Sequence, residues 1–327
     1  MSGRPSLRSG QSRRGPFSPA LLLPRSRLTQ GYTTLIIDSH NHPFYHGLNA
    51  AGVIAEMNTF GIDVSWLLTW TLPPAQHVPT SHRVFNPSNA RPDGTHAGVV
   101  LDDISRSRDQ YPDRFVAGYC PCPTEGDPAA LLEAAVKTHG IRVCGEWSYR
   151  TVLDDPRTIE TFQAAGEMGL PVVLHIDTPY LSDETGKRVY QDIWYGGEID
   201  CLERALERCP DTVIIGHAPG FWRHISGDAD TDPKTYPDGP ILPGGKLFGL
   251  FDRFPNLWAD LSAGSGLTAM RRDSEHAVQF IDRYQDRLLY GRDAPGNDLM
   301  NYLNTLDLSE LIREKLFNKN ASKLVPL

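Results

Sequence analysis

The chain has 327 residues, a formal net charge of −8, and a composition 40% hydrophobic and 22% charged. This balance predicts a soluble globular protein. It excludes a basic nucleic-acid surface, and the lack of any run of about 18 apolar residues excludes a membrane span.

The first 34 residues hold six arginines (Arg4, Arg8, Arg13, Arg14, Arg25, Arg27) and no acid, leaving about −14 for the remainder. Rich in Ser, Pro, Gly and Arg, residues 1–33 are expected to be a disordered tail. The arginine-rich, acid-poor composition and the pair in Ser12-Arg13-Arg14-Gly15 leave a transit or export role open. The following Ala20-Leu21-Leu22-Leu23 is nevertheless far shorter than a signal core of about 7–15 residues, so a cytoplasmic protein is expected.

Residues 34–327 read as one domain of alternating strands and helices. The run Thr33 to Asp38 is β-branched and apolar, the composition of a buried strand. It is followed by Ser39-His40-Asn41-His42, where period-2 geometry turns His40 and His42 the same way. With 11 histidines in the chain the spacing alone is weak; its position at a strand end strengthens it. Further strands are expected at Val64 to Trp70, Phe115 to Cys120, Ile141 to Glu146, Pro171 to His175, Thr212 to His217, Leu257 to Ser262 and Leu288 to Asp293. Helical character marks Asp127 to Thr138, Pro156 to Met168, Ile199 to Cys209 and Ser274 to Tyr284.

Eight strands alternating with helices predict a single (β/α)8 TIM barrel, in which the strand C-termini gather at the active-site face. His40, His42, Glu146, His175, His217 and Asp293 then converge there. Neutral imidazoles and carboxylates are a donor set for a divalent metal such as zinc. Taken singly, His175 or His217 reads as an ordinary hydrogen-bonded histidine and Asp293 as a helix cap; six such residues in barrel order do not. Asp260, on the seventh strand, is expected to support the site rather than act in it. Trp147 and Arg150 after strand four, and Trp222 and Arg223 after strand six, are candidate substrate contacts, an arginine there being suited to a substrate carboxylate. Long Gly/Pro/Asp-rich segments at about 71–98, 178–198 and 219–246 are expected as loops at the mouth.

Other chemistries lack their motifs. There is no Gly-x-Gly-x-x-Gly opening a helix and no phosphate loop, and Ser262 has no nucleophile-elbow context. Cys120, Cys122, Cys144, Cys201 and Cys209 form an odd set without zinc-ribbon spacing, so free thiols are expected.

Asp38-Ser39-His40-Asn41-His42, His175, His217, Tyr290-Gly291-Arg292-Asp293 and the closing Asn318 to Leu324 together make the chain similar to the amidohydrolase superfamily. It most resembles the amidohydrolase-related branch of metal-dependent hydrolases and decarboxylases, across about residues 34–327. The resemblance implies that His40, His42, His175 and Asp293 hold one catalytic metal, with zinc the implied ion. It also implies that His217 touches substrate or water and that Asp293 handles protons. Glu146 falls where some members carry a bridge to a second metal. Hydrolysis of a small ester, lactone or amide by metal-activated water is the first activity implied, and non-oxidative decarboxylation the alternative. A barrel that has lost catalysis and only binds is a third reading, against which all four implied ligands are present. A small-molecule substrate is the expected partner, and a homodimer is compatible with the resemblance.

Overall fold

A computed structural model describes residues 35–327, so the expectations for the arginine-rich tail lie outside the described residues. Runs of Val, Ile, Leu and Trp build eight short strands: β1 (Ile37–Asn41), β2 (Val64–Leu67), β3 (Phe115–Ala117), β4 (Cys144–Trp147), β5 (Val172–His175), β6 (Ile214–His217), β7 (Leu257–Asp260) and β8 (Leu288–Leu289). All their pairings are parallel, in the orders β1-β2-β3 and β8-β7-β6-β5-β4.

Individual hydrogen bonds, not continuous ladders, join the two sheets. At one seam the Tyr119 amide donates to Val143 O and the Arg142 amide to Ala117 O, both at 3.0 Å; at the other, the Ser39 amide donates to Tyr290 O at 2.9 Å. The architecture is the expected (β/α)8 barrel.

The connecting helices begin where the chain offers caps. Among them are α1 (Ala50–Phe60), α2 (Leu101–Gln110), α3 (Pro128–His139), α4 (Pro156–Glu167), α5 (Ile199–Arg208), α6 (Lys246–Arg253), α7 (Ala263–Arg271) and α8 (Ser274–Tyr284). The side chains of Asn49, Asp127, Asp155 and Asp273 accept backbone N–H bonds at the starts of α1, α3, α4 and α8, and proline opens α3 and α4. The four helices expected from the sequence agree with α3, α4, α5 and α8 to within a residue at each end.

One hydrophobic cluster joins Ile37, Trp66, Val116, Val173, Ile215, Trp258 and Leu289 from the strands, and Leu68 and Val143 adjoining them, with Ala321 and Val325 of the closing segment. The final helix, Asn320–Leu324, is tied down by Asn320, whose Nδ2 donates to Gln285 O and Leu288 O at 2.7 and 2.8 Å. The C-terminal segment therefore packs on the barrel core, away from the strand ends that carry the histidines. Among the described residues, no helix is long and apolar enough to cross a membrane.

Two elements differ from the sequence expectation. The second strand stops at Leu67, and Trp70–Thr71 pairs antiparallel with Gly98–Val99 instead. Gly98 makes this possible, because a Cβ there would stand 2.0 Å from Trp70 O. The last strand is only Leu288–Leu289; Gly291 then brings the chain against His40, where an added Cβ would lie 2.9 Å from the His40 Cβ.

Candidate metal centre

The strand register shifts at two places in the barrel, between Asp38 and Asn41 on β1 and between Cys144 and Trp147 on β4. Such irregularities re-aim side chains, and these two flank His40 and Glu146. His175 and His217 end β5 and β6, directly opposite one another in the ladder. Asp293 follows β8 with φ 52°, a left-handed conformation uncommon for a non-glycine residue, and its amide donates to His40 O at 2.9 Å. Asp38 locks β1 to this turn by accepting from the Arg292 amide at 2.8 Å and from its Nε at 2.9 Å.

These elements bring together the six residues singled out from the sequence. His40 Nε2 lies 3.4 Å from Glu146 Oε1 and 3.7 Å from Asp293 Oδ1. His42 Nε2 is 3.3 Å from Asp293 Oδ1 and 3.7 Å from Glu146 Oε2. His217 Nε2 is 3.3 Å from Asp293 Oδ2 and 4.0 Å from Glu146 Oε1. Two triads, His40/His42/Asp293 and His40/Glu146/His217, have donor atoms all within 4.8 Å of one another. His175 joins through Glu146, its Nδ1 lying 3.0 Å from Oε1, while its Nε2 engages Asp177 at 3.1 Å. It belongs to neither triad, unlike the resemblance's set of His40, His42, His175 and Asp293.

The outer nitrogens fix the orientation of three rings. Asp260 at the end of β7 accepts from His40 Nδ1 at 3.0 Å and from His217 Nδ1 at 2.9 Å, and Leu68 O accepts from His42 Nδ1 at 2.8 Å. With Nδ1–H so used, each Nε2 lone pair faces the centre, the supporting arrangement that metal-binding imidazoles need. Ser262 donates to Asp260 from both its amide and its hydroxyl. Asp260 thus has the supporting place expected of it.

Burial opposes charge on His40, Glu146, His175, His217, Asp260 and Asp293, yet the partners outweigh it. Glu146 is held well below the carboxylate range by His175 and His40, Asp260 by His217 and His40, and Asp293 by the nearby imidazoles of His40, His217 and His42. In return Asp293 and Asp260 raise His40, Asp260 raises His217, and Glu146 and Asp177 lift His175 to about 10. Even so, His40 Nε2, His42 Nε2, Glu146 Oε2 and Asp293 Oδ1 are buried without a hydrogen-bond partner. Four orphaned donor atoms in one cluster of imidazoles and carboxylates fit a divalent cation.

The sequence-nominated substrate contacts divide. Trp147 is fully buried, its ring 6.0 Å from Phe162 of α4, so it packs between strand and helix and not at the mouth. Trp222 is likewise buried, with Nε1 donating to Asp260 O at 3.0 Å and its ring 6.0 Å from Phe280 of α8. Arg223 donates to Ala229 O and Asp232 O, bracing its own loop, while lining, with Asp177 and Pro219, a cleft of about 370 Å³. Arg150 lies half-buried at the mouth, its amide donating to Gln76 Oε1 at 2.9 Å.

Sequence reasoning missed an aromatic collar. Trp70 and Tyr45 lie 5.6 and 5.7 Å from the His42 ring, and Trp70 and Tyr195 lie 5.6 and 5.2 Å from that of His175. Burial, with Asp293 and Glu146 nearby, pushes the Tyr45 phenol far up. Trp70 closes the run Val64 to Trp70, and that terminal position is the sequence signal that its ring reaches the mouth.

A parallel barrel whose strand ends gather histidines and carboxylates defines the class of a metal-dependent enzyme fold. The amidohydrolase family model matches residues 37–327, and the chain belongs to that family of enzymes. No curated protein matches the sequence. Among solved structures, the chain is similar to an uncharacterised TIM-barrel protein from Bordetella bronchiseptica, at 17% identity and TM-score 0.58, covering 89% of this chain and 98% of that one. It is similar to a probable 2-pyrone-4,6-dicarboxylic acid hydrolase from Acinetobacter baumannii, at 14% identity and TM-score 0.55, covering 89% and 99%. It is also similar to a 5-carboxyvanillate decarboxylase from Novosphingobium aromaticivorans complexed with manganese, at 19% identity and TM-score 0.52, covering 86% and 82%. At these identities the likeness establishes the fold.

Proposed function

We propose that this chain is a metal-dependent hydrolase acting on a small ester, lactone or amide. The observation that carries this reading is the place of Glu146, whose Oε1 faces His40, His175 and His217 while Oε2 faces His42. A carboxylate with donors on both sides is suited to bridge two cations, an arrangement used for hydrolysis. His40, His42 and Asp293 would hold one divalent ion, zinc being the first candidate and manganese the second. Glu146, with His175 and His217, would hold another. When bound, such an ion lowers the pKa of water toward about 7 and polarises a carbonyl.

The chain's own groups divide the remaining work. Asp260 keeps His40 and His217 in the Nδ1–H tautomer, so their Nε2 atoms stay available. Asp293, 3.3 Å from His217 Nε2, is placed to take a proton from water and return it to a leaving group. Tyr45, Trp70 and Tyr195 limit water at the mouth and present flat faces to a substrate.

That collar also favours a second reading, decarboxylation of an aromatic acid, the reaction class named for the Novosphingobium relative. One assay separates the two. Metal-loaded protein is given a panel of esters and lactones, and separately hydroxybenzoates, in ¹⁸O-labelled water with carbon dioxide monitored. One ¹⁸O in the product acid of an ester, abolished in Asp293→Asn, is the expected result. Carbon dioxide release without ester cleavage would overturn hydrolysis in favour of the lyase.

A further inference from the structure

Among the described residues, every other half-buried or buried arginine of this barrel either pairs with an acid or, like Arg91, Arg114, Arg223, Arg287 and Arg313, donates to two or more backbone carbonyls. Arg292 pairs with Asp38 and Glu56, each at 2.9 Å, and Arg272 pairs with Asp228. Arg150 differs. Among the described residues it forms no ion pair, its Nη2 reaches only the Gln76 carbonyl at 3.3 Å, and its buried Nε has no hydrogen-bond partner. Leaving a guanidinium donor unpaired and shielded from water is unfavourable unless something else accepts from it.

Its position gives that charge a direction. Arg150 follows β4, three residues beyond the strand that carries Glu146, and is held by Gln76 from the loop after β2. Its charge reaches Tyr195, opposing the rise that burial and Asp177 impose on that phenol. The Tyr195 ring in turn lies 5.2 Å from His175. A second unused donor stands at the same place, because Trp70 Nε1 lies beside Tyr195 and makes no hydrogen bond of ordinary geometry. The backbone brings the two segments together, the Gly196 amide donating to Tyr149 O at 3.3 Å, so two buried N–H groups that make no hydrogen bond of ordinary geometry stand near one phenol, one ring away from the histidine cluster.

We infer that Arg150, Trp70 and Tyr195 form an anion subsite, and that the substrate carries a carboxylate remote from the bond that reacts at the metal centre. The guanidinium Nε–H and the indole N–H both donate to that carboxylate, and the phenol stands near both. Arginine suits the task through its planar fork, which lysine cannot reproduce. This inference deepens the hydrolase reading by naming a substrate class, an anionic and flat acyl compound, and it rests on that reading for the reacting bond.

The test reads binding rather than turnover, so it stands apart from the chemistry. Metal-loaded wild type, Arg150→Met and Arg150→Lys are titrated calorimetrically with glutarate, isophthalate and terephthalate, and with the monomethyl ester of each. Metal content and far-UV ellipticity are recorded for every variant. At least one dicarboxylate is expected to bind wild type about ten- to hundredfold more tightly than its monoester, the range of a charged hydrogen bond. That preference should fall below about threefold in Arg150→Met and be intermediate in Arg150→Lys. Absence of any dicarboxylate preference in wild type, or its survival in Arg150→Met with metal retained, overturns the subsite. Failure of ester cleavage in the ¹⁸O assay strikes the hydrolase reading alone.

Discussion

The floor and the rim of this barrel mouth are built on different principles. Floor residues sit on or directly after strands, and each is fixed by a backbone ladder or a buried partner, as Asp260 fixes His40 and His217. Rim residues come from the loops after β1, β2, β4 and β5, and are held by contacts between loops, as Trp70 pairs with Val99, Tyr195 with Asp177 and Arg150 with Gln76. The floor therefore supplies chemistry through positions that tolerate little movement, and the rim supplies selection through positions that vary cheaply.

The sharpest way to break this contrast is to damage the floor. Asp293→Asn keeps the shape but removes both the base and one carboxylate of the His40/His42/Asp293 set, and should lower turnover at least about 10³-fold, measured as kcat on whichever ester the labelled-water assay selects. Gly291→Ala tests the backbone beneath the floor. Its new Cβ would meet the His40 Cβ at 2.9 Å, and a displaced His40 should cost about 10²-fold in kcat/KM while the fold persists by circular dichroism. Asp260→Asn touches no substrate, yet should weaken metal affinity about 10- to 100-fold by competition with a chelator. Full affinity in that variant would remove Asp260 from its supporting place.

At the rim the effects should be smaller. Tyr45→Phe removes a hydroxyl beside His42 and should change KM by about fivefold or less, with kcat nearly unchanged. An effect as large as that of Asp293→Asn would erase the distinction between floor and rim.

Protons provide a further test. In metal-stripped protein His175 is raised to about 10 by Glu146 and Asp177 against the pull of burial. The stabilisation from its charged form is therefore complete below about 6.5, its unfolded value, and is lost as pH rises through about 10. Thermal midpoints of stripped wild type should fall between pH 7 and 10, and the fall should be smaller in His175→Ala. An equal slope in both would contradict the His175–Glu146 pairing.

The same contrast explains what the sequence disclosed. Runs such as Thr212 to His217 announce both a strand and its final residue, because burial demands β-branched residues and the ladder dictates direction. The six floor residues and the barrel were legible for that reason. Two features hid the finer arrangement. The irregular registers at His40 and Glu146 leave no period in the sequence, and the engagement of both His175 nitrogens depends on Asp177, a loop residue. Trp147 and Trp222 stand near strand ends, but Trp147 lies on the face of β4 that turns to α4, and Trp222 ends the helical turn Pro219–Trp222, whose packing points its ring at α8. Trp70 and Tyr195 are placed by loop pairing that no local pattern encodes.

Metal content per chain addresses the centre of the account most directly. Protein purified without chelator or an affinity metal column, resupplied with zinc or manganese and desalted, is assayed by elemental analysis beside a His40→Ala, His42→Ala double variant and Glu146→Gln. At least one divalent ion per wild-type chain is predicted, with none in the double variant and any second ion lost in Glu146→Gln. A wild-type chain that retains no ion after either metal is supplied would contradict it.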